Sequence, residues 1–203
     1  MISAVLMAAA LQEPAARPVD PSSVVEPVIA PELPVRRHPR AVDGYSEAGD
    51  AAGHTGRVIV ETIVQPDGTI GPVTVVQSSR SDLLDAEAIQ TIATARIAGR
   101  PDPIRYHIVV NFNPTGILDM KCEEFTRQVS WYQSVWPESS PGDMTIYTMS
   151  VGAMALVARE RSGSVDAMLA PARKMEAEWP GLIADCERQP NRVYLQVLNA
   201  RLN

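Results

Sequence analysis

Ile104-Arg105-Tyr106-His107-Ile108-Val109-Val110-Asn111-Phe112 decides how the first half of this chain folds. Ile104, Tyr106, Ile108, Val110 and Phe112 alternate with Arg105, His107 and Asn111, so one face of a strand is apolar and the other wet. An apolar face needs a cover and an isolated strand needs neighbours, and the preceding residues supply both. Arg57-Val-Ile-Val-Glu-Thr-Ile-Val-Gln65 is rich in β-branched residues and reads as a strand opened by Gly56. Pro66-Asp67-Gly68-Thr69 reads as a tight turn, with proline fixing φ at its entry and Gly68 accepting a positive φ, and Gly71 to Ser78 returns as the second strand of a hairpin. Asp82 is expected to cap a helix through about Arg96, on which Leu84, Ala88, Ile89, Ile92 and Ala95 form a stripe able to cover the sheet. Upstream, Tyr45 to Gly53 suits one short helical turn.

Downstream the period becomes helical. Cys122 to about Trp136, Met144 to Arg161 and Ser164 to Glu178 suit three helices, the third having to start or kink at Pro171. Trp179-Pro180-Gly181 reads as a break, followed by short helices over Leu182 to Glu187 and Asn191 to Leu202. Cys122 and Cys186 read as a disulfide if the protein is exported, or as two buried free thiols. As a disulfide they would contribute about 4 kcal/mol by constraining the unfolded loop. The predicted class is α+β: a small β-β-α-β domain over residues 44–114, then a small all-α, disulfide-closed helical domain over 119–203.

Composition narrows the function. A net charge of −6 and scattered basic residues lack the electrostatic footprint of a nucleic-acid binder. Residues 1–12 resemble a truncated signal peptide, with Ala8 and Ala10 where a peptidase would cut, and no segment supplies the roughly 20 apolar residues of a stable membrane span. Residues 13–43 are proline-rich without a helical or strand period and read as an extended tether, mobile when no partner is bound, with Arg36, Arg37, His38 and Arg40 as its solvated end. The expected location is the periplasm, with membrane association if a longer N-terminus precedes Met1.

His38, His54 and His107 lie far apart without the spacing of a metal site. The glycines at 49, 53 and 56 precede a strand rather than a helix, the wrong order for a phosphate cradle. No nucleophile elbow is present, and the carboxylate pairs read as solvated helix faces. The expectation is a protein without catalytic residues, metal or cofactor.

Taken together, Tyr45-Ser-Glu-Ala48, Gly53-His-Thr-Gly-Arg-Val58, Pro66-Asp-Gly-Thr-Ile70, Val73-Thr-Val-Val-Gln-Ser-Ser79 and Leu84-Asp-Ala-Glu-Ala-Ile89 resemble the C-terminal domain of the TonB energy transducers, over about residues 45 to 113. Ser46 stands where that family usually has proline, and Arg96 to Arg100 lacks its aromatic-x-Pro ending. The resemblance implies that Ile104 to Phe112 is an edge strand that accepts an extended segment of an envelope or outer-membrane transport protein by strand addition, with Arg105, His107 and Asn111 reading the partner's side chains. Sheet edges of this kind also offer a route to a homodimer. Motor-coupled transduction is not implied without a membrane helix. Met120-Lys-Cys-Glu-Glu-Phe125 and Asp185-Cys-Glu-Arg-Gln-Pro190 resemble the cysteine signatures of the HdeA family of acid-stress chaperones. That second resemblance implies a Cys122–Cys186 disulfide and, as the alternative function, a chaperone that exposes its Met- and Trp-rich middle helices on acidification. Ordinary core packing is the competing reading of Met144, Met149, Met154, Met168 and Met175.

Overall fold

The computed structural model describes residues 33–202 apart from 100, 163 and 164. The elements run β1 (Val35–Arg37), β2 (Val42–Asp43), α1 (Glu47–Ala52), β3 (Gly56–Val64), β4 (Thr74–Gln77), α2 (Asp82–Ala93), β5 (Ile104–Phe112), α3 (Cys122–Val135), a 3-10 turn (Pro141–Asp143), α4 (Thr145–Ser162), α5 (Val165–Arg188) and α6 (Tyr194–Leu202). The expected signal peptide and residues 13–32 of the expected tether lie outside the described residues.

β3 and β5 pair antiparallel over their full length, from Gly56 against Phe112 to Val64 against Ile104. Their alternating residues Val58, Val60, Val64, Tyr106, Ile108, Val110 and Phe112 form one core with Leu84, Ala88 and Ile92 of α2. The two-residue period of the strands and the three-to-four-residue period of the helix thus meet on one apolar layer. The turn after β3 behaves as its residues require: Gly68 has φ +84°, and the Asp67 carboxylate accepts from Thr69 N at 2.9 Å and Thr69 Oγ1 at 2.7 Å. These bonds, the backbone one first, hold the Asp67 carboxyl below its ordinary range. β4 is shorter than expected, and a register shift between Ile59 and Val60 leaves Val76 48% exposed.

Two helix boundaries differ from expectation. Ser81 rather than Asp82 caps α2, its hydroxyl accepting from Leu84 N at 3.3 Å, so Asp82 falls in the first turn, where its charge still suits the helix N-terminus. The helix closes at Thr94, short of Arg96. Ser46 caps α1 in the same manner, accepting from Gly49 N at 3.0 Å.

In the second half the predicted break at Trp179-Pro180-Gly181 does not occur. α5 runs on through Arg188 because Met175, Trp179, Leu182 and Cys186 keep one stripe in phase across the proline, all at most 2% exposed. Burial of such a stripe outweighs the roughly 3 kcal/mol that an interior proline costs a helix. Gly181 is not a helix breaker here: a Cβ on it would collide with the guanidinium of Arg201, which crosses this point to pair with Glu178 and Asp185. Phe125 stacks on Tyr194 with centroids 4.2 Å apart and meets Trp179 edge-on at 5.4 Å, giving the helical core an aromatic centre. Met144, Met154 and Met175 pack in this core. Cys122 and Cys186 form a disulfide joining the start of α3 to the end of α5, and both are fully buried. The overall class is α+β, with a C-terminal helical region closed by that disulfide.

Candidate functional site

β5 divides its residues as its sequence dictates. Tyr106, Ile108, Val110 and Phe112 enter the core with the partly buried Ile104 packed against them, while Arg105, His107, Val109 and Asn111 are partly buried on the uncovered face. On that face Glu61 of β3 receives His107 Nε2 at 3.0 Å through Oε2 and lies 3.9 Å from Arg105 Nε through Oε1. Glu61 and His107 are register partners across the β3–β5 pair, so the contact is a cross-strand one.

The expected free edge is covered. The strand order is β1-β5-β3-β4 with β2 also on β5, so β5 lies inside the sheet rather than at its border. Its second edge carries the chain's own residues in parallel: Val35, Arg36 and Arg37 in register with Arg105, Tyr106 and His107, then Val42 and Asp43 with Val110 and Asn111. His38 N donates to His107 O at 2.9 Å and Gly44 N to Asn111 O at 2.8 Å, closing the two pieces. Residues 33–43, expected to belong to an unstructured tether, therefore include two short strands. Backbone donors and acceptors along β5 provide what the side chains of this segment cannot, since β1 is exposed at all three positions. The last strand of the path is then a short one rich in arginine and flanked by Pro34 and Pro39, a sequence that discourages further pairing.

The seat of this strap is shaped by a missing side chain. A Cβ on Gly44 would lie 2.6 Å from Phe112 Cε1, 2.7 Å from Phe112 Cζ and 2.8 Å from Val110 Cγ1, so the backbone of residue 44 rests directly on the core. Only glycine allows that approach. Neither the strap nor Gly44 was foreseen from periodicity; a two-residue strand has too few positions to display a period.

At the opposite end of the open face the helical region forms a wall. His54 stacks on Trp131 with centroids 4.5 Å apart and its Nδ1 is 2.8 Å from Ser81 Oγ, and burial holds its imidazole below the ordinary histidine pKa. Arg80, at φ +66°, lies 3.5 Å over the Trp136 ring, donates to Val135 O and pairs with Glu138 at 3.2 Å. Between sheet end and wall is an open cleft of about 490 Å³ lined by Arg57, Gln77, Asn111, Asn113, Tyr132 and Trp136 among others. Ser79, which lines it, donates its hydroxyl to Asp85 Oδ1 at 2.8 Å, and among the described residues there is no cluster of three potential metal ligands. No described helix is long and apolar enough to cross a membrane.

Of the side chains expected to read a partner, Arg105 and His107 are brought together on Glu61, whereas Asn111 stands four residues on, in the cleft. What the arrangement offers is backbone pairing along an edge beside a charged, partly apolar face. Comparison with curated proteins and with solved structures finds no match. Residues 43–114, roughly a third of the chain and the segment holding α1, β3, β4, α2 and β5, match the family model described as Gram-negative bacterial TonB protein C-terminal.

Proposed function

We propose that this chain is a non-catalytic protein-binding module of the bacterial envelope, acting in the periplasm, whose β5 accepts an extended segment of a transport or envelope protein by strand addition. The observation that carries the reading is the parallel seating of residues 35–37 and 42–43 on β5: that edge has the backbone geometry to hold an added strand. The TonB C-terminal match over residues 43–114 supports a protein-interaction role in TonB-type systems. The test is capture from envelope extract by the full chain and by His107→Pro. His107 O accepts from the strap, so the N–H of the same residue points to that edge, and proline there removes an acceptor-edge donor while leaving the β3 side paired. Loss of a transport protein from the captured set in the variant is the expected result; an unchanged set overturns the reading.

A further inference from the structure

We propose that residues 33–44 are a displaceable internal occupant of the β5 edge, and that the partner displacing them is an extended segment with carboxylates beside Arg105 and His107. The proposal rests on the strand-addition reading above and adds to it the state of the site and the chemistry of its ligand.

The strap is a poor fit as a strand. β3 holds β5 through nine consecutive register pairs, from Gly56–Phe112 to Val64–Ile104, whereas the strap provides three and then two. Between them the chain bends away over His38 to Ala41, and no register partner faces Ile108 or Val109. Pro39 has no N–H to offer in that gap. A continuous strand can pair along the whole of β5, so a partner gains backbone bonds that the strap leaves unmade.

Side chains hold the strap at the His38 ring, which meets Tyr106 edge-on with centroids 5.3 Å apart, and at its C-terminal end, but not along β1. Val35, Arg36 and Arg37 are exposed, while Val42 packs against the sheet core and Gly44 sits on Phe112 and Val110. Charge points the same way. Arg37 stands in register with His107 and two positions along from Val35, the partner of Arg105, so the strap sets no acid beside either residue. Glu61 is the carboxylate touching Arg105 and His107, and it approaches from the β3 side, away from the strap. The one acid in the strap's pairing runs is Asp43, beside Asn111, whose other neighbour is Arg57. The β2 end is therefore complementary and the β1 end is not. A segment that carries Asp or Glu in the place of Val35 would set a carboxylate in register with Arg105, and one in the place of Arg37 would set it in register with His107, at the end where β1 is exposed.

Most of the strap precedes the residues that match the TonB family model, which begin at 43, whereas its anchored end, Asp43 and Gly44, lies inside the match.

The test uses the full chain and two fluorescein-labelled ten-residue peptides of alternating valine and threonine, one with aspartates and one with lysines at two alternate positions. Affinity is read by anisotropy, and edge opening by hydrogen exchange at residues 105–111, for wild type, Gly44→Val and Arg37→Asp. In Gly44→Val the side chain has no room over Phe112, so edge amides should exchange faster and the aspartate peptide should bind at least fivefold tighter than to wild type. In Arg37→Asp the strap gains the complement it lacks, so the same peptide should bind about two- to fivefold more weakly. The lysine peptide should bind more weakly to every form. Equal aspartate-peptide affinity in all three proteins, or unchanged exchange in Gly44→Val, overturns the displaceable strap. Equal affinity of the two peptides overturns the acidic partner. An opened edge in Gly44→Val that binds neither peptide overturns strand addition itself.

Discussion

Removing the cross-link between Cys122 and Cys186 should loosen the helical region by an amount the topology fixes. The two residues are 64 positions apart, and the loop they close contains nearly all of α3, α4 and α5. For a loop of that length the chain-entropy model gives about 4 kcal/mol, a large part of the 5 to 15 kcal/mol typical of a folded domain. Cys122→Ala/Cys186→Ala also removes two fully buried sulfur atoms from the core, adding about 1 kcal/mol each. Urea unfolding followed by tryptophan fluorescence is the suitable assay, because Trp131, Trp136 and Trp179 all belong to the helical region. With a slope of about 2 kcal/mol per molar, the double variant should unfold roughly 2 to 3 M earlier than the oxidised protein. The reduced wild-type protein should fall between the two. A difference below about 0.5 M would refute the reasoning, since it would mean that the aromatic cluster around Phe125 holds the helices without help from the closed loop.

Other expectations follow from single contacts. Arg80 has a left-handed backbone and also reaches across to the helical region, so Arg80→Ala loses the contact and keeps the strain, whereas Arg80→Gly loses only the contact; the glycine variant should be about 1 kcal/mol more stable than the alanine variant by thermal unfolding. Tyr194 is buried, its phenol raised well above the ordinary pKa by desolvation, and its hydroxyl lies 2.6 Å from Ser150 Oγ. Tyr194→Phe should cost about 1 kcal/mol in denaturant unfolding, and Tyr194→Leu several times more because the stacking on Phe125 goes as well. The Arg201 bond, the largest influence on Asp185, lowers its carboxyl pKa. A depressed folded value stabilises the protein above the ordinary carboxylate pKa and ceases to do so as pH falls through it. Arg201→Met should therefore be less stable than wild type at pH 7, with the gap closing below about pH 4. A gap that is constant with pH would show that Arg201 acts by packing alone.

The parts of the fold legible in the sequence are those in which side chains carry the period. Ile104 to Phe112 forms a strand with the expected bounds, and β3, α2 and α3 follow from β-branched runs or apolar stripes. Misreadings occur where local propensity and tertiary packing disagree. Pro180 and Gly181 resemble a stop, yet Trp179 and Leu182 on either side both belong to the core, and the glycine serves to let Arg201 pass. The strap was missed for a different reason: its pairing is made by backbone groups that every residue carries, so Val35-Arg36-Arg37 announces nothing through its side chains. Of the candidate site, the residues on the open face were legible and the cover on their edge was not.

The placement of the helical region bears on how these perturbations should combine. Its contacts with the first half come from Gly53 and His54, at the α1 end of β3, and from Arg80, in the loop after β4, while Thr115 in the connection before it donates its hydroxyl to Asp50 at 3.0 Å. The strap is seated by Val110, Asn111 and Phe112 and by the backbone of residues 105–107, none of which takes part in those contacts. Sites without shared partners add in free energy to within a few tenths of a kcal/mol. Loss of the disulfide should then leave hydrogen exchange along 105–107 unchanged at urea concentrations where the helices are still folded, and Gly44→Val should leave the tryptophan transition in place. Correlated changes would require a path through the small cavity that Gly44 and Phe112 line with Asp50, His54 and Thr115, or through Asn111, the one β5 residue that both pairs with the strap and lines the cleft beneath Tyr132 and Trp136. Asn111→Ala in either background distinguishes the Asn111 path from a general loosening of the fold.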